Sequence, residues 1–185
     1  MTLPLRPGQG GFLRPFGCGW FIREFLLGHG PEGSPNIDPD RGSTQADICY
    51  QYKSALIRAI AQDHAEKRVS DMVERGVDVT EEMADIIFQD ELEKIPHKYT
   101  RMRYHSFLIY FSMLKRLGWV KATGETESSI AQEPKPGVVN PQGQPRTYYC
   151  LTDKGKKAPD AEWSNPLFVL YPETFLKHHP NHYLA

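Results

Sequence analysis

The stretch SFLIYFSMLKRLGWVKATGE (residues 106–125) decides the fold, because a helical pattern of apolar residues changes within it to the pattern of a strand. Gly118 is placed where it can end the helix, since glycine readily adopts the left-handed conformation that follows many helix C-termini. We therefore predict a helix over residues 99–117. The apolar residues that share its inner face are Tyr104, Phe107, Leu108, Phe111 and Leu114.

Two strands are expected after this helix. The first begins with WVKA (residues 119–122), and the second is RTYYCLT (residues 146–152), whose side chains alternate between two faces. Residues 124–145 between them are rich in proline and glycine, which favours a long loop over regular structure. We expect the two strands to pair as an antiparallel hairpin.

Further helices are predicted upstream of this unit. A short helix is expected over residues 20–27, where an apolar run is ended by glycines. Ser43 or Thr44 can cap a long helix over residues 44–75, and Thr80 can cap another, EEMADIIFQDELEKI (residues 81–95). The apolar stripe of the long helix is denser in its first half, so we expect that half to be the better buried one.

The helix ending in LKRLGWV (residues 114–120), followed by a strand, a loop and the strand RTYYCLT, resembles the winged helix-turn-helix domain of bacterial and archaeal transcription regulators. The resemblance covers residues 80–158. It implies a mainly α (α+β) fold, in which a winged-helix domain with a two-stranded wing is preceded by extra N-terminal helices. The residues of the second strand and its turn that carry the resemblance are Tyr149, Leu151, Thr152 and Gly155.

The chain is long enough, at 185 residues, for one main domain with additional segments. We expect a Gly- and Pro-rich segment with a short helix, then a long helix used for packing or dimerisation. The winged-helix domain, with its wing loop at residues 124–145, and a C-terminal tail complete the chain. The bounds of these four segments are residues 1–43, 44–79, 80–158 and 159–185.

Charge is strongly separated along the winged-helix segment, although the net charge of the whole chain is −1. Residues 78–93 contain seven acids and no lysine or arginine, whereas residues 94–121 contain seven bases and no acid. A concentrated basic region is typical of contact with phosphates. The alternative is a solvated basic face that pairs with the neighbouring acidic helix.

The partner predicted from this pattern is double-stranded DNA, and the resemblance implies a transcriptional regulator. Bases near the start of the helix are expected to bind phosphates: Lys98, Arg101 and Arg103. Side chains expected to face a groove of the DNA are His105, Ser106 and Arg116. Bases expected at the two ends of the wing are Lys121 and Arg146.

A second hypothesis belongs to a different class, a winged-helix module for protein assembly that does not bind DNA. Met102, Ile109 and Met113 fall opposite the buried face of the helix, so its outer surface is partly apolar. Ile109 and Met113 are then the expected contact residues, together with the apolar segment LFVLYP (residues 167–172). Binding that weakens steeply with salt would indicate DNA instead of a protein partner.

A homodimer is also predicted, because the helix over residues 44–75 carries more apolar surface in its first half than a lone small domain needs. A two-fold dimer would suit a palindromic DNA site. The alternative is that this helix packs inside one monomer against the short N-terminal helix, through Phe21, Phe25 and Leu26.

Several other classes of function find little support in the sequence. No apolar run approaches the roughly 18 residues of a membrane span, and prolines and glycines interrupt the N-terminus where a signal peptide would be apolar. We therefore expect a cytoplasmic protein. Cysteines are few and widely spaced, and the C-terminal histidines at 178, 179 and 182 lack a nearby cysteine or carboxylate. Neither a metal, a cofactor nor an enzymatic activity is expected.

Overall fold

The structure is a computed structural model that describes residues 6–7, 13–129 and 143–173, with side chains for 15–128 and 145–173. Within these ranges it is mainly helical with a small antiparallel sheet, so the predicted α+β class is confirmed. The helices are α1 (Cys18–Leu26), α2 (Gln45–Glu74), α3 (Glu81–Lys94), α4 (Tyr104–Leu117), α5 (Asp153–Lys157), α6 (Asp160–Ser164) and α7 (Pro166–Leu170). The strands are β1 (Arg6–Pro7), β2 (Leu13–Arg14), β3 (Ser43–Thr44), β4 (Val120–Ser129) and β5 (Gly143–Leu151).

Of the two candidate caps of α2, Thr44 is the one that the structure uses, and the predicted cap of α3 is confirmed. The hydroxyl oxygen of Thr44 accepts a hydrogen bond from the backbone N–H of Asp47, at 3.2 Å. Thr80 accepts in the same way from the N–H of Met83, at 3.3 Å. Each cap satisfies one of the amide groups that a helix leaves unpaired in its first turn, which fixes where the helix begins.

Helix α4 begins at Tyr104, so the predicted start at residue 99 is wrong. A short 3₁₀ turn, His97–Thr100, takes the place of the first helical turn, and Arg101 after it adopts the left-handed conformation with a φ of 50°. The hydroxyl of Thr100 is buried and donates to the carbonyl of His97 at 2.9 Å, which closes the turn. The predicted C-terminus is confirmed, because Gly118 ends the helix with a φ of 70°.

The sheet has a strand that the sequence did not predict. The expected hairpin of β4 and β5 is present, and β3 pairs with the free edge of β5, so the strand order is β3-β5-β4 with antiparallel neighbours. The hairpin is also longer than expected, since β4 continues to Ser129 and β5 begins at Gly143. The remainder of the predicted wing loop, residues 130–142, lies outside the described residues.

The main apolar core joins the N-terminal helices to the hairpin. Phe25 of α1, Tyr52 of α2 and Phe111 of α4 are all fully buried in it, and Tyr52 donates to the carbonyl of Phe16 at 3.2 Å. The first half of α2 is therefore the buried half, as predicted. Phe21 and Leu26 are buried in the same cluster, so α2 packs against the short N-terminal helix within one chain.

The segment after β5 packs on the helices instead of forming an extended tail up to residue 173. Trp163 of α6 is buried against Trp119, with ring centroids 4.8 Å apart, and its indole N–H donates to the carbonyl of Gly155 at 3.0 Å. Helix α7 lies against α4. Residues 174–185, which include the C-terminal histidines, lie outside the described part of the chain.

Among the described residues, none of the helices combines the length and the apolar character that crossing a membrane requires.

Candidate nucleic-acid interface

Helix α4 shows one buried and one solvent-exposed face. Phe107, Phe111 and Leu114 are fully buried, and together they fix the helix on the core. Their burial turns the opposite side of the helix outward, where side chains three and four residues apart form a continuous stripe. The exposed residues of this stripe are His105, Ile109, Ser112 and Arg116.

The start of α4 is open to an anionic ligand. Arg103 is the N-cap residue, and its side chain makes no capping hydrogen bond. The N–H groups in the first turn of the helix are therefore left to donate to a ligand. These amides and the helix dipole favour negative charge at this end. Exposed polar and basic side chains, all predicted as contact residues, surround it: Lys98, Arg101, Arg103, His105 and Ser106.

Two acids of α3 are paired, and one of their partners, Lys94, belongs to the basic region of residues 94–121. Arg68 of α2 binds Asp90 and Glu91, with 3.0 Å to the Glu91 carboxylate, and Lys94 lies 2.7 Å and 3.0 Å from the same two acids. Within the residues that the structure describes, neither Lys98 nor Arg103 forms an ion pair. The alternative in which an acidic helix neutralises the basic face therefore does not hold for these two residues.

The hairpin carries its own acids beside its bases. Arg41, in the loop before β3, binds the Glu125 carboxylate of β4 through Nε at 2.8 Å and stacks over the ring of Tyr148 at 4.7 Å. Tyr148 donates its hydroxyl to Glu127 at 2.8 Å, and Arg146 lies 3.7 Å from that same carboxylate. The predicted contact residue Arg146 is thus partnered within the chain.

The electrostatic neighbourhood of Tyr104 shows how the α4 end and the hairpin are related. Burial raises the pKa of Tyr104, the nearby Cys49 adds to the increase, and the positive charge of Arg146 opposes it. The hydrogen bond to Glu127 likewise raises the pKa of Tyr148. Tyr149 of β5 packs edge-on against Phe111 of α4, with ring centroids 5.2 Å apart, so these two elements are in direct contact.

Two predicted contact residues, Arg116 and Lys121, lie far from the start of α4. Arg116 lies in the last turn of α4, where its guanidinium stacks over the ring of Tyr171 at 5.4 Å. Lys121 pairs in register with Cys150 at the base of the hairpin, beside a shallow depression of about 700 Å³ to which Lys154 and Lys156 also contribute. These bases lie at the end of α4 that is opposite to Lys98 and Arg103.

The predicted protein-contact residues have different environments. Ile109 is 52% exposed at the centre of the outward stripe, whereas Met113 is half-buried. Met102 packs against the core, so it does not belong to the outer surface as expected. Val169 and Leu170 of α7 also pack against the core, which leaves Leu167 and Tyr171 as the exposed apolar residues of the predicted contact segment.

Sequence reasoning missed Arg41 and Tyr50 as members of this surface. Arg41 lies in a loop predicted from its composition, and its pairing with Glu125 joins residues 84 positions apart. Tyr50 is an exposed residue of α2 whose ring stacks on that of His97, with centroids 5.5 Å apart. The only local signal for Tyr50 was its position off the apolar stripe of the long helix.

The described residues contain no group of three or more histidines, cysteines or acids placed to hold a metal ion. Comparison of the chain with protein-family models, with curated proteins and with solved structures finds no match.

Proposed function

We propose that this protein is a winged-helix DNA-binding protein that acts as a transcriptional regulator. The observation that carries the proposal is the open N-terminus of α4, flanked by Lys98 and Arg103, which make no ion pair among the described residues. Support also comes from the arrangement of an exposed helix followed directly by an antiparallel hairpin. This is the arrangement that the resemblance to winged-helix regulators implies.

The proposed mechanism starts with electrostatic docking on the phosphate backbone. Lys98, Arg101 and Arg103 bind phosphates, and the release of counterions makes this step dependent on salt. Helix α4 then enters the major groove, which is about 12 Å wide and accepts an α-helix. His105 and Ser106, in its first turn, lie where side chains of a reading helix contact base edges. No catalytic step and no cofactor are part of this mechanism.

The experiment that tests the proposal is fluorescence anisotropy of a labelled mixed-sequence duplex at low and at physiological salt. The test variant is Lys98→Glu, Arg103→Glu, and the control is Lys67→Glu, Arg75→Glu. The control changes the charge equally on exposed residues in and just after the second half of α2. We expect the test variant to lose most of its affinity and the salt slope to fall by about 2, one for each phosphate contact. An equal loss in both variants, or no binding at low salt, would refute the proposal.

The second candidate function is protein assembly through the outer face of α4. Ile109 is half exposed there, and Leu167 and Tyr171 are also exposed on or just after α7, which packs on the same helix. Exposed apolar side chains on two helices that pack together favour a protein partner. The substitution Ile109→Ser, together with pulldown at low and high salt, tests this function. A partner held by this face should stay bound at high salt and be lost on substitution.

A homodimer stays a prediction, and the second half of α2 with α3 is the surface we propose for it. Three exposed apolar residues lie on these two helices and the loop between them, namely Val73, Val77 and Ile86. Light scattering after gel filtration measures the mass directly. A protein that is still a monomer at about 100 μM would have a dimer Kd weaker than that concentration, and this result would refute the proposal.

A further inference from the structure

Exposed aromatic rings surround the basic start of α4. Tyr50, Tyr99 and Tyr104 are 56%, 50% and 45% exposed, although a tyrosine ring is among the side chains that gain most from burial. They come from three elements, namely α2, the 3₁₀ turn and the first residue of α4. Their common location next to Lys98 and Arg103 is a feature that the proposed reading of duplex DNA does not use.

The segment HKYTRMRY (residues 97–104) alternates between inward anchors and outward contact groups. Thr100 is fully buried, and Met102 packs against the core, so these two residues hold the segment on the protein. All the other residues of the segment are exposed, and each has an aromatic ring or a positive charge to offer: His97, Lys98, Tyr99, Arg101, Arg103 and Tyr104.

Two of the three tyrosine rings, those of Tyr50 and Tyr104, are held in place by stacking within the protein. The His97 ring stacks on that of Tyr50 at 5.5 Å with an angle of 20° between their planes, which couples the 3₁₀ turn to α2. Tyr104 stacks in the same manner on the buried Phe107, with centroids 6.5 Å apart. Because the rings are already ordered, a ligand loses little conformational entropy in using them.

In the described part of the hairpin, by contrast, the two arginines at its surface are already paired. Arg41 and Arg146 are each paired with an acid of β4, Glu125 and Glu127 respectively. A duplex is held mainly through its phosphates, whereas an unpaired strand also presents the faces of its bases. Rings between basic residues, beside arginines that are already paired, therefore suit a strand with unpaired bases.

We propose that Tyr50, Tyr99 and Tyr104 stack on unpaired bases of a nucleic-acid strand while Lys98, Arg101 and Arg103 hold its phosphates. This inference rests on the proposed function, because α4 still docks on the adjoining duplex. The preferred ligand is then a duplex that continues into a single strand, as at a melted or frayed site. Stacking is tolerant of base identity, so the sequence of the single strand matters little.

The test compares three labelled probes by anisotropy: a blunt duplex, the same duplex with a thymine overhang of about ten nucleotides, and the overhang strand alone. Two double variants are compared. The alanine variant carries Tyr50→Ala and Tyr99→Ala, and the matched phenylalanine variant carries Tyr50→Phe and Tyr99→Phe, which keeps both rings. Ile86→Ala, an exposed apolar residue of α3, is the control for the loss of surface area. Circular dichroism confirms that each variant is folded.

We expect the overhang probe to bind about tenfold more tightly than the blunt duplex, which corresponds to one or two stacked bases. The alanine variant should lose this difference and keep its blunt-duplex affinity, and the phenylalanine variant should keep both. Equal affinity for the blunt and overhang probes would overturn this inference alone, as would an alanine variant that keeps the preference. Failure to bind any of the three probes would overturn the proposed function as well, and would leave the rings to a protein partner.

Discussion

The hydroxyl of Thr152 donates a hydrogen bond to the carbonyl of Gly118, which ties the end of β5 to the end of α4. The backbone N–H of Thr152 also donates to the carbonyl of Trp119 at 2.9 Å, and the Thr152 hydroxyl oxygen accepts from the N–H of Gly155 at 3.1 Å. Thr152 therefore serves the helix C-terminus and the N-cap of α5 at once. The two halves of the sequence pattern, Leu-Gly-Trp-Val and Leu-Thr-x-x-Gly, meet in space.

Replacing Thr152 by valine should destabilise the fold. Valine keeps the shape of the side chain and removes both hydroxyl hydrogen bonds, so we expect a loss of about 2 kcal/mol in the free energy of unfolding. Urea denaturation followed by circular dichroism measures this loss. Thr126→Val, at an exposed position of β4, is the control and should change stability by less than about 0.5 kcal/mol. Equal stability of the two variants would contradict the role given to Thr152.

Replacing Gly155 by alanine should also be destabilising, for a steric reason. A Cβ at this position would lie 2.2 Å from the carbonyl oxygen of Trp119, and a backbone atom cannot rotate away as a side chain can. We expect a loss of about 1–3 kcal/mol, typical of overpacking. At Gly17, the N-cap of α1, a Cβ would meet nothing within 4 Å, so the same substitution should cost only the roughly 0.5–1 kcal/mol by which an N-cap prefers glycine to alanine. Thermal unfolding of both variants decides the point.

The parts of the fold that were predicted correctly depend on signals between residues close in sequence. Thr44 and Thr80 can be recognised as caps because each bonds to an amide three residues later, and Gly118 because the conformation it adopts strongly favours glycine. The predicted start of α4 at residue 99 was wrong because a contact with the rest of the protein overrode such a local signal. Tyr99 continues the helical pattern, but burial of Thr100 is a tertiary effect that overrides it.

The parts that were missed depend on partners distant in sequence. Strand β3 has only two residues, and its pairing of Ser43 with Tyr149 leaves no local pattern. Helical periodicity placed His105, Ile109 and Arg116 correctly on the exposed stripe of α4. It was wrong for Met102, which packs against the core, and for Tyr104, which was predicted on the inner face and is 45% exposed. Whether a base on that surface is free or neutralised was not accessible, because the pairing of Arg41 with Glu125 depends on how the loop meets the hairpin.

Acid should weaken the ion pairs of Glu91, one of which lies within α3 and the other of which joins α3 to α2. Lys94 and Arg68 hydrogen-bond Glu91, and these bonds hold the pKa of that carboxyl below its usual range, mainly through Lys94. Because the folded-state pKa is lowered, the stabilisation is complete above the unfolded value of roughly 4.3 and is lost as the pH falls through the folded value. We therefore expect Glu91→Gln to lower the Tm at pH 7 and to have a diminishing effect as the pH falls below about 4.

The matched control for this pH series is Glu93→Gln. Glu93 lies on the same helix, is exposed, and forms no ion pair within the described residues. Its substitution removes the same charge without breaking an ion pair. It should therefore leave the Tm nearly unchanged throughout the series. Differential scanning fluorimetry from pH 3 to pH 8 suffices for the comparison. A Glu91→Gln effect that is independent of pH would show that packing, and not charge, accounts for it.

Neutralising the acids of the hairpin should strengthen nucleic-acid binding. Glu125 and Glu127 occupy Arg41 and Arg146, and the variant Glu125→Gln, Glu127→Gln keeps side chains that accept hydrogen bonds while it removes both negative charges. With their counter-charges gone, the two arginines can bind phosphates, and we expect affinity for a duplex to rise about three- to tenfold near 0.1 M salt. The salt slope should increase by about 1–2, because phosphate contacts are gained.

The control is Glu81→Gln, Glu82→Gln in the first turn of α3, which changes the net charge equally on exposed residues. A similar rise in both variants would mean that net charge alone sets the affinity, and the pairs on the hairpin would then have no specific part in binding.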